Sequence, residues 1–193
     1  MAIFFTADTH FSHTNIIKYC NRPFSSGQEM DETICANWSA LVGPKDKVYH
    51  LGDVAFGSEA MVARTVERIK KLPGVKYLLP GNHDGRYPEL LADAFAEVLP
   101  PLYELSAQCY RQGVRIVLCH YPLMTWNRAY HGALHFHGHV HGRIPHDNRR
   151  IDVGVDAWGF APARLENVIA RLKTAPERID PEKSGVDVPD EEE

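Results

Sequence analysis

The stretch Val48-Tyr49-His50-Leu51-Gly52-Asp53 is an apolar run that stops at a glycine followed by a carboxylate. A short apolar run that ends at a turn residue is typical of a buried parallel strand. In open α/β sheets, ligand sites lie in crevices at the carboxyl ends of such strands. The stretch therefore predicts an α/β fold in which Asp53 faces a binding crevice.

Four other apolar runs end in the same way, and each is followed by side chains with oxygen or nitrogen ligand atoms. The runs cover residues 2–7, 75–79, 114–119 and 134–136. The side chains that follow them are, in chain order, Asp8 and His10, Asn82 and His83, His120, and His139 and His141. We expect these five strand ends to converge, with the Asp53 carboxylate in the middle and able to bridge two metal ions.

Helical periodicity fills the intervals between several of these runs. A capping-box spacing begins one helix at Ser26, and a second helix is expected to begin at Ser58. Shorter helical patterns cover residues 89–96 and 165–172, and an irregular strand is expected within 98–110. The alternation of helices and strands predicts right-handed crossovers and a parallel sheet.

Length and composition predict one globular domain. The chain has 193 residues, of which 44% are hydrophobic and 24% charged, and its formal net charge is -4, which gives no bias toward nucleic acid or membrane. No segment approaches the roughly 18 apolar residues of a membrane span. The four cysteines lack metal-binding spacing, and the first residues lack the pattern of a signal peptide, so a cytoplasmic location is expected.

The last twenty residues differ in composition from the rest. Residues 174–193 contain eight acidic and two basic side chains, with three prolines and few large apolar residues. This composition predicts a disordered acidic tail of net charge -6. Subtracting -6 from -4 leaves +2 for the domain at residues 1–173, a weak bias toward anions.

Taken in order, the motifs resemble the signature of the calcineurin-like metallophosphoesterase family. They are Asp8-x-His10, Gly52-Asp53, Gly81-Asn82-His83-Asp84, His120 and Gly138-His139-x-His141. The resemblance spans roughly residues 3–156. It implies a four-layer αββα sandwich, in which two packed sheets carry helices outside and a dinuclear metal site at the strand ends.

The resemblance also implies how the ligands divide between two metal ions. One ion would be held by Asp8, His10 and His141, the other by Asn82, His120 and His139, with Asp53 between them. Imidazole, carboxylate and amide ligands suit several divalent or trivalent ions. Manganese is expected first, with iron, zinc, nickel, cobalt or magnesium as alternatives.

The implied function is metal-dependent hydrolysis of phosphoric esters, expected to be phosphodiesters, through a water or hydroxide between the two ions. His83 is expected to protonate the leaving oxygen, and Asp84 to orient the His83 imidazole. The alternative is a phosphomonoesterase acting on nucleotides or proteins. A different class is a catalytically inactive, metal-binding interaction scaffold, which the complete set of ligands disfavours.

Four further residues flank the expected mouth of the site and are predicted to bind substrate: His13, Arg22, Asn127 and Arg128. The expected partner is a small phosphoester, including nucleotides and nucleic-acid ends. No oligomeric state is predicted.

Overall fold

The predicted apolar runs form strands in a computed structural model of the protein, which describes residues 1–107 and 113–179. The described strands are β1 (Ile3–Thr6), β2 (Lys47–His50), β3 (Val75–Leu78), β4 (Glu97–Val98), β5 (Leu102–Ala107), β6 (Val114–Cys119), β7 (Leu134–His137), β8 (Arg150–Asp152) and β9 (Ala163–Arg164). The described α-helices are α1 (Ile16–Tyr19), α2 (Gly27–Leu41), α3 (Glu59–Lys71), α4 (Pro88–Ala92) and α5 (Leu165–Lys173).

Strand β2, which contains Val48, Tyr49 and His50, is the central strand of the first sheet. This sheet has the order β4-β3-β2-β1-β9, and β1 to β4 run parallel, as predicted. Tyr49 lies opposite Phe5 on one side and Tyr77 on the other. The two-residue strand β9, which pairs antiparallel with β1, was not predicted because it is too short to show a pattern.

The second sheet has the order β5-β6-β7-β8. Strands β6, β7 and β8 are parallel, and β8 is an edge strand. Strand β5 pairs antiparallel with β6 over residues 102–107, where the sequence predicted only an irregular strand within 98–110. The end of that predicted range, residues 108–110, includes Cys109 and lies outside the described residues.

The main core lies between the two sheets. Phe5 and Tyr49 of the first sheet belong to the same buried cluster as Leu118 and Phe136 of the second. The Phe5 and Phe136 rings meet edge to face, with centroids 4.9 Å apart. Helix α5 packs against this core beside β1 and β8.

Helices α2 and α3 cover the outer face of the first sheet. Because successive side chains of a strand point to opposite faces, Val48 points away from the core that holds Tyr49. It packs there against Trp38 of α2. Helix α2 begins as predicted, since the Ser26 hydroxyl accepts a hydrogen bond from the Glu29 N–H at 3.1 Å.

The fourth layer differs from the predicted αββα sandwich. On the outer face of the second sheet, Val117 packs against Trp126, Ala129 and Ala133. These three residues lie in the long connection between β6 and β7, whose only described helix is one 3₁₀ turn at Ala129–His131. The structure is therefore a mixed α/β fold with two packed sheets, in which irregular chain replaces helices in this layer.

The first residues of the predicted acidic tail pack on the domain. The Pro176 carbonyl accepts a hydrogen bond from the Asn148 N–H at 2.8 Å, and the Arg178 guanidinium lies 4.5 Å from the centroid of the Trp126 ring. Residues 180–193 lie outside the described residues, so the disorder of the tail and the domain boundary at 173 stay predictions.

Two truncations test where the domain ends. Removing residues 180–193 is expected to leave the melting temperature unchanged, because that composition cannot bury enough apolar surface to fold. Removing residues 174–193 is expected to lower the melting temperature by roughly 2–6 °C, because this truncation also deletes the contacts of Pro176 with Asn148 and of Arg178 with Trp126. The measurement is thermal unfolding by circular dichroism. A large loss with the shorter truncation would contradict the predicted disorder.

The described helices have at most 15 residues, and none of them has the apolar length needed to cross a membrane. Cys20, Cys35 and Cys119 are free thiols.

Candidate metal centre

The predicted ligands follow the carboxyl ends of five parallel strands, three in the first sheet and two in the second. Backbone hydrogen bonds hold these ends together beyond the strands themselves. The Asp8 N–H donates to the Gly52 carbonyl at 3.0 Å, and the His10 N–H donates to the Asp53 carbonyl at 3.0 Å. In the second sheet, the Gly138 N–H donates to the His120 carbonyl at 3.0 Å.

The ligand atoms form two groups, each within 4.8 Å of one another. Asp8, His10 and His141 form the first group, and Asp53, His120 and His139 form the second. The seventh predicted ligand, Asn82, belongs beside the second group because its Oδ1 lies 3.0 Å from the His120 Nε2.

Asp53 connects the two groups. Its Oδ2 lies 3.6 Å from the His10 Nε2 in one group and 3.5 Å from the His120 Nε2 in the other. Its Oδ1 accepts a hydrogen bond from the His83 N–H at 2.9 Å. A single carboxylate oxygen therefore faces imidazole nitrogens from both groups.

Two atoms in the first group are buried without a hydrogen-bond partner. They are the Asp8 Oδ1 and the His10 Nε2. Burying such polar atoms unpaired costs free energy, and a bound cation would compensate for it. The other Asp8 oxygen, Oδ2, is used by the His139 N–H at 2.9 Å. This donor set fits a metal ion.

Five of the seven predicted ligands have left-handed backbone conformations. Their φ angles are 55° at Asp8, 48° at His10, 56° at Asp53, 70° at His139 and 52° at His141. Non-glycine residues rarely adopt positive φ, and they concentrate at functional sites when they do. The left-handed turns also explain how His139 and His141, two residues apart, reach different groups.

Glycines give the site its close backbone approaches. A Cβ on Gly81 would lie 2.4 Å from the Asp53 Oδ1, and one on Gly138 would lie 2.6 Å from the Asp8 Oδ2. Both distances are shorter than van der Waals contact, so any side chain at these positions would displace a predicted ligand.

Burial and charge shift the pKa values of the carboxylates in opposite directions. Burial raises the pKa of Asp8 to about 7, because its charged form is desolvated. Burial also opposes ionisation of Asp53, but the hydrogen bond and charge of His120 hold its pKa well below the usual range. Burial lowers the pKa of His10 to about 2, so the imidazole is neutral, the form that binds metals.

Groups behind the ligands orient two of the histidines. The His120 Nδ1 lies 2.7 Å from the Leu51 carbonyl oxygen, to which it donates, so that Nε2 faces the site. The His141 Nδ1 lies 2.7 Å from the Asp156 Oδ2, and the Arg22 guanidinium makes two hydrogen bonds to the same carboxylate. Such carboxylate and carbonyl partners fix the ring orientation of metal-binding histidines.

Asp156 was missed by the sequence analysis, although the signal was present. Residues 150–156 alternate polar and apolar side chains, a pattern that indicates an edge strand and one polar face. On that face, the Asp152 carboxylate accepts a hydrogen bond from the Gly142 N–H at 2.7 Å. Asp156 continues the same alternation four residues later. Cys20 also lies near His141 and Asp156, but these two already bond to each other and belong to the site described above.

Replacing Asp156 tests this orienting role. Asp156→Asn removes the charge shared by Arg22 and His141, and changes at such positions typically cost ~10–100-fold in metal affinity. We expect the affinity to fall only for the ion held by the group that contains His141. The other group, Asp53, His120 and His139, does not contact Asp156. Titration with a competing chelator measures both affinities. Asp147→Asn, a carboxylate in the same segment, is the control, and equal loss at both ions would contradict the assignment.

Asp84 does not orient His83, which corrects its predicted role. Its buried carboxylate accepts hydrogen bonds from the N–H groups of Asp53 at 2.8 Å, Val54 at 2.9 Å and Gly81 at 2.8 Å. Both oxygens are therefore used in joining the loop after β2 to the loop after β3. Asp84 acts on the site by fixing the backbone around Asp53.

Asp84→Asn is accordingly expected to destabilise the protein. The carboxamide has one oxygen for three N–H groups, so at least one buried donor loses its partner, at roughly 1–3 kcal/mol for each donor. Urea unfolding measures the change, with the exposed Asp93→Asn as the control. Unchanged stability, together with kinetics that match those of a His83 variant, would restore the role predicted from sequence.

The predicted substrate-binding residues fall into different places. His13 lies at the site: its ring is 5.3 Å from the His10 ring and stacks on Phe56 at 4.3 Å. Arg22 is buried and bonded to Asp156 and to the Asp8 carbonyl at 2.7 Å, so it supports the site and does not face substrate.

Arg128 is remote from the centre and the Asn127 side chain is bonded to Glu104, which corrects their prediction as substrate ligands. The Asn127 side chain donates to Glu104 at 2.8 Å, and Arg128 lies beside Val114 at the amino end of β6. His120 follows the carboxyl end of the same strand, six residues of extended chain away, or roughly 20 Å. Spacing along the chain could not show that the connection turns away from the mouth.

Fold and site together define a mixed α/β protein with a buried cluster of carboxylate and imidazole groups at the strand ends. The chain belongs to the family of the Uncharacterized protein MJ1445 of Methanocaldococcus jannaschii, with 32% identity over 178 residues, covering 89% of this chain and 91% of that protein. Gene 66 protein of Mycobacterium phage L5 is 30% identical over 191 residues, covering 84% of this chain and 90% of that protein.

A solved structure shares this fold. It is the protein of unknown function AQ665 from Aquifex aeolicus, with a TM-score of 0.69 and 28% identity, covering 89% of this chain and 98% of that one. No family model matches the chain, so the calcineurin-like resemblance stays a prediction.

Proposed function

We propose that the protein is a metal-dependent hydrolase of phosphoric esters, and that its substrate is a phosphodiester. The observation that carries the proposal is Asp53, whose one carboxylate oxygen faces imidazole nitrogens of two ligand groups. Paired ion sites of this kind are common in phosphoryl-transfer enzymes. When bound, the ions would supply Lewis-acid stabilisation of the phosphoryl oxygens and activation of the attacking water.

The ligand sets proposed for the two ions follow the two groups. Asp8, His10 and His141 would hold one ion, and Asn82, His120 and His139 the other, with Asp53 shared between them. The Asp8 Oδ1 and the His10 Nε2 support the first set, since both atoms are buried and lack a hydrogen-bond partner. Nitrogen and oxygen donors favour manganese, iron, zinc, nickel or cobalt over softer ions.

His83 is proposed as the general acid. Its Nε2 lies 3.9 Å from the Asp53 Oδ2, and the side chain is 37% exposed, so it borders the site without being enclosed by it. The hydrogen bond from its own N–H to the Asp53 Oδ1 fixes its position relative to the centre. From there the protonated imidazole can donate its Nε2 proton to the leaving oxygen, which converts an alkoxide into a neutral alcohol.

The alternatives are a phosphomonoesterase and a metal-binding scaffold, and one experiment separates them. Protein stripped with chelator is reconstituted with each candidate metal, analysed for metal content, and assayed on methyl p-nitrophenyl phosphate and p-nitrophenyl phosphate. We expect about two ions per chain and faster hydrolysis of the diester. Faster monoester hydrolysis would indicate a phosphomonoesterase, and two ions without either activity would indicate a scaffold. Failure to bind metal would refute the proposal.

A further inference from the structure

A pocket of about 220 Å³ opens beside Asn82 and His83, and its lining residues all lie between Ala55 and Leu91. Its apolar lining includes Val62 of α3 and Leu91 of α4, both buried in the same core cluster. Ligand sites for drug-sized molecules usually enclose ~300–1,000 Å³, so this smaller volume fits a single ring. None of the ligands assigned above except Asn82 lines it.

Two aromatic side chains lie along the pocket. Phe56 is 39% exposed. Its ring stacks with His13 at 4.3 Å and meets His83 edge to face at 5.4 Å. Tyr87, which caps α4, lines the same pocket and packs partly into the core.

Arg86 adds a positive charge at the pocket. It is exposed, and its guanidinium lies 5.3 Å from the centroid of the Tyr87 ring, a cation–π geometry. Among the residues that line the pocket in the described structure, Arg86 is the one with a permanent charge. A guanidinium in this position can bind phosphate through two parallel hydrogen bonds.

We propose that this pocket binds the nucleobase of a nucleoside on the leaving side of the phosphodiester, and that Arg86 contacts the next phosphate of the same molecule. The proposal rests on the proposed function, because His83 marks the leaving side only if it is the general acid. The substrate class is then a nucleic-acid strand or dinucleotide and not a simple alkyl diester.

The chemistry of the lining selects this occupant. Stacking on aromatic side chains holds bases of any identity, because every base has a π-face. An alkyl group would gain from Val62 and Leu91 but would not use Arg86. The combination of aromatic rings and one cation, adjacent to a phosphoryl centre, matches a chain in which phosphates and rings alternate.

Binding of a series of ligands to the metal-loaded protein, measured by calorimetry, tests the proposal. The series is methylphosphonate, cyclohexylmethylphosphonate, the 5′-phosphonate analogue of thymidine monophosphate, and that analogue with a 3′-phosphate. The C–P bonds of these probes are not hydrolysed, and phosphorus NMR after each titration verifies that the 3′-phosphate ester of the last probe is intact. Stacking predicts that the thymidine compound binds ~5- to 150-fold tighter than methylphosphonate. The 3′-phosphate should add a further ~3–5-fold.

Single-residue variants test which side chain provides each of these two gains in affinity. Phe56→Leu and Tyr87→Leu should each reduce the gain from thymidine, and Arg86→Gln should abolish only the gain from the 3′-phosphate. Tyr130→Leu and Arg115→Gln are matched controls near the opposite end of the second sheet, and both gains should survive in them. Metal analysis of every variant ensures that a change in binding is not a loss of ions.

The contrary outcomes separate this inference from the proposed function. Equal binding of methylphosphonate and the thymidine compound would overturn the pocket alone. Equal binding of the cyclohexyl and thymidine compounds would show an apolar pocket without preference for a base, and would overturn the nucleic-acid assignment. A metal-loaded protein that binds no member of the series would overturn both proposals.

Discussion

Asp53→Asn is expected to remove both metal ions at once, because one Asp53 oxygen faces a nitrogen of each ligand group. The Oδ2 lies 3.6 Å from the His10 Nε2 and 3.5 Å from the His120 Nε2, and the carboxamide would halve the oxygen donors and remove the charge there. Changes to groups behind a ligand already cost ~10–100-fold in affinity, so losing a shared ligand should exceed ~100-fold for each ion. Activity on any phosphoester should fall with the metal content.

The measurement is metal content after dialysis, together with chelator titration of each ion. Asp46→Asn is the matched control, because Asp46 precedes the other end of the same strand and its carboxylate accepts hydrogen bonds from the N–H groups of Ala2 and Gly43. Asp46→Asn should retain both ions. If Asp53→Asn loses one ion and keeps the other with native affinity, Asp53 serves a single ion and the bridging assignment is wrong.

His83→Ala is expected to keep both ions and to slow hydrolysis in proportion to the basicity of the leaving group. A general acid matters only when the departing oxygen would otherwise leave as a strongly basic alkoxide. Esters of ordinary alcohols should therefore slow by ~10²–10⁴-fold, and nitrophenyl esters, whose leaving group is already stable, by much less. Any contact between His83 and the phosphoryl group would add a loss common to all substrates.

The diagnostic measurement is the slope of log kcat/KM against leaving-group pKa for a series of phosphodiesters. The slope should become steeper in His83→Ala and stay unchanged in His131→Ala, which replaces an exposed histidine near the amino end of β6. Equal losses across the series with both ions present would mean that His83 acts electrostatically. Loss of an ion would make His83 a ligand.

The two largest corrections concern residues whose role depends on direction in space. Asp84 follows His83 in the sequence, and adjacency suggested a carboxylate–imidazole pair. In the structure the chain turns into the 3₁₀ segment Asp84–Arg86, and the Asp84 carboxylate points back to the backbone of Asp53 and Val54. Arg22 was expected to face substrate, yet it is buried and its guanidinium bonds to Asp156 instead.

The sequence by itself determined which strands are central and which residues follow them. An apolar run such as 48–51 is typical of a strand buried on both faces, and the ends of neighbouring parallel strands meet at one edge, so Asp8, Asp53 and Asn82 were expected to lie near each other. The αβ order of the first half and the start of α2 at Ser26 follow equally from local patterns.

Only the tertiary structure decided how those edges meet. Left-handed turns at Asp8, His10, Asp53, His139 and His141 aim the side chains. The moderate preference of aspartate and histidine for φ > 0 does not determine which of them adopt it. The orienting Asp156, the irregular fourth layer and the pocket beside His83 arise between segments far apart in the chain. Their contacts depend on how two sheets pack, which single-sequence periodicity does not specify, because periodicity reports which face is buried and not what covers it.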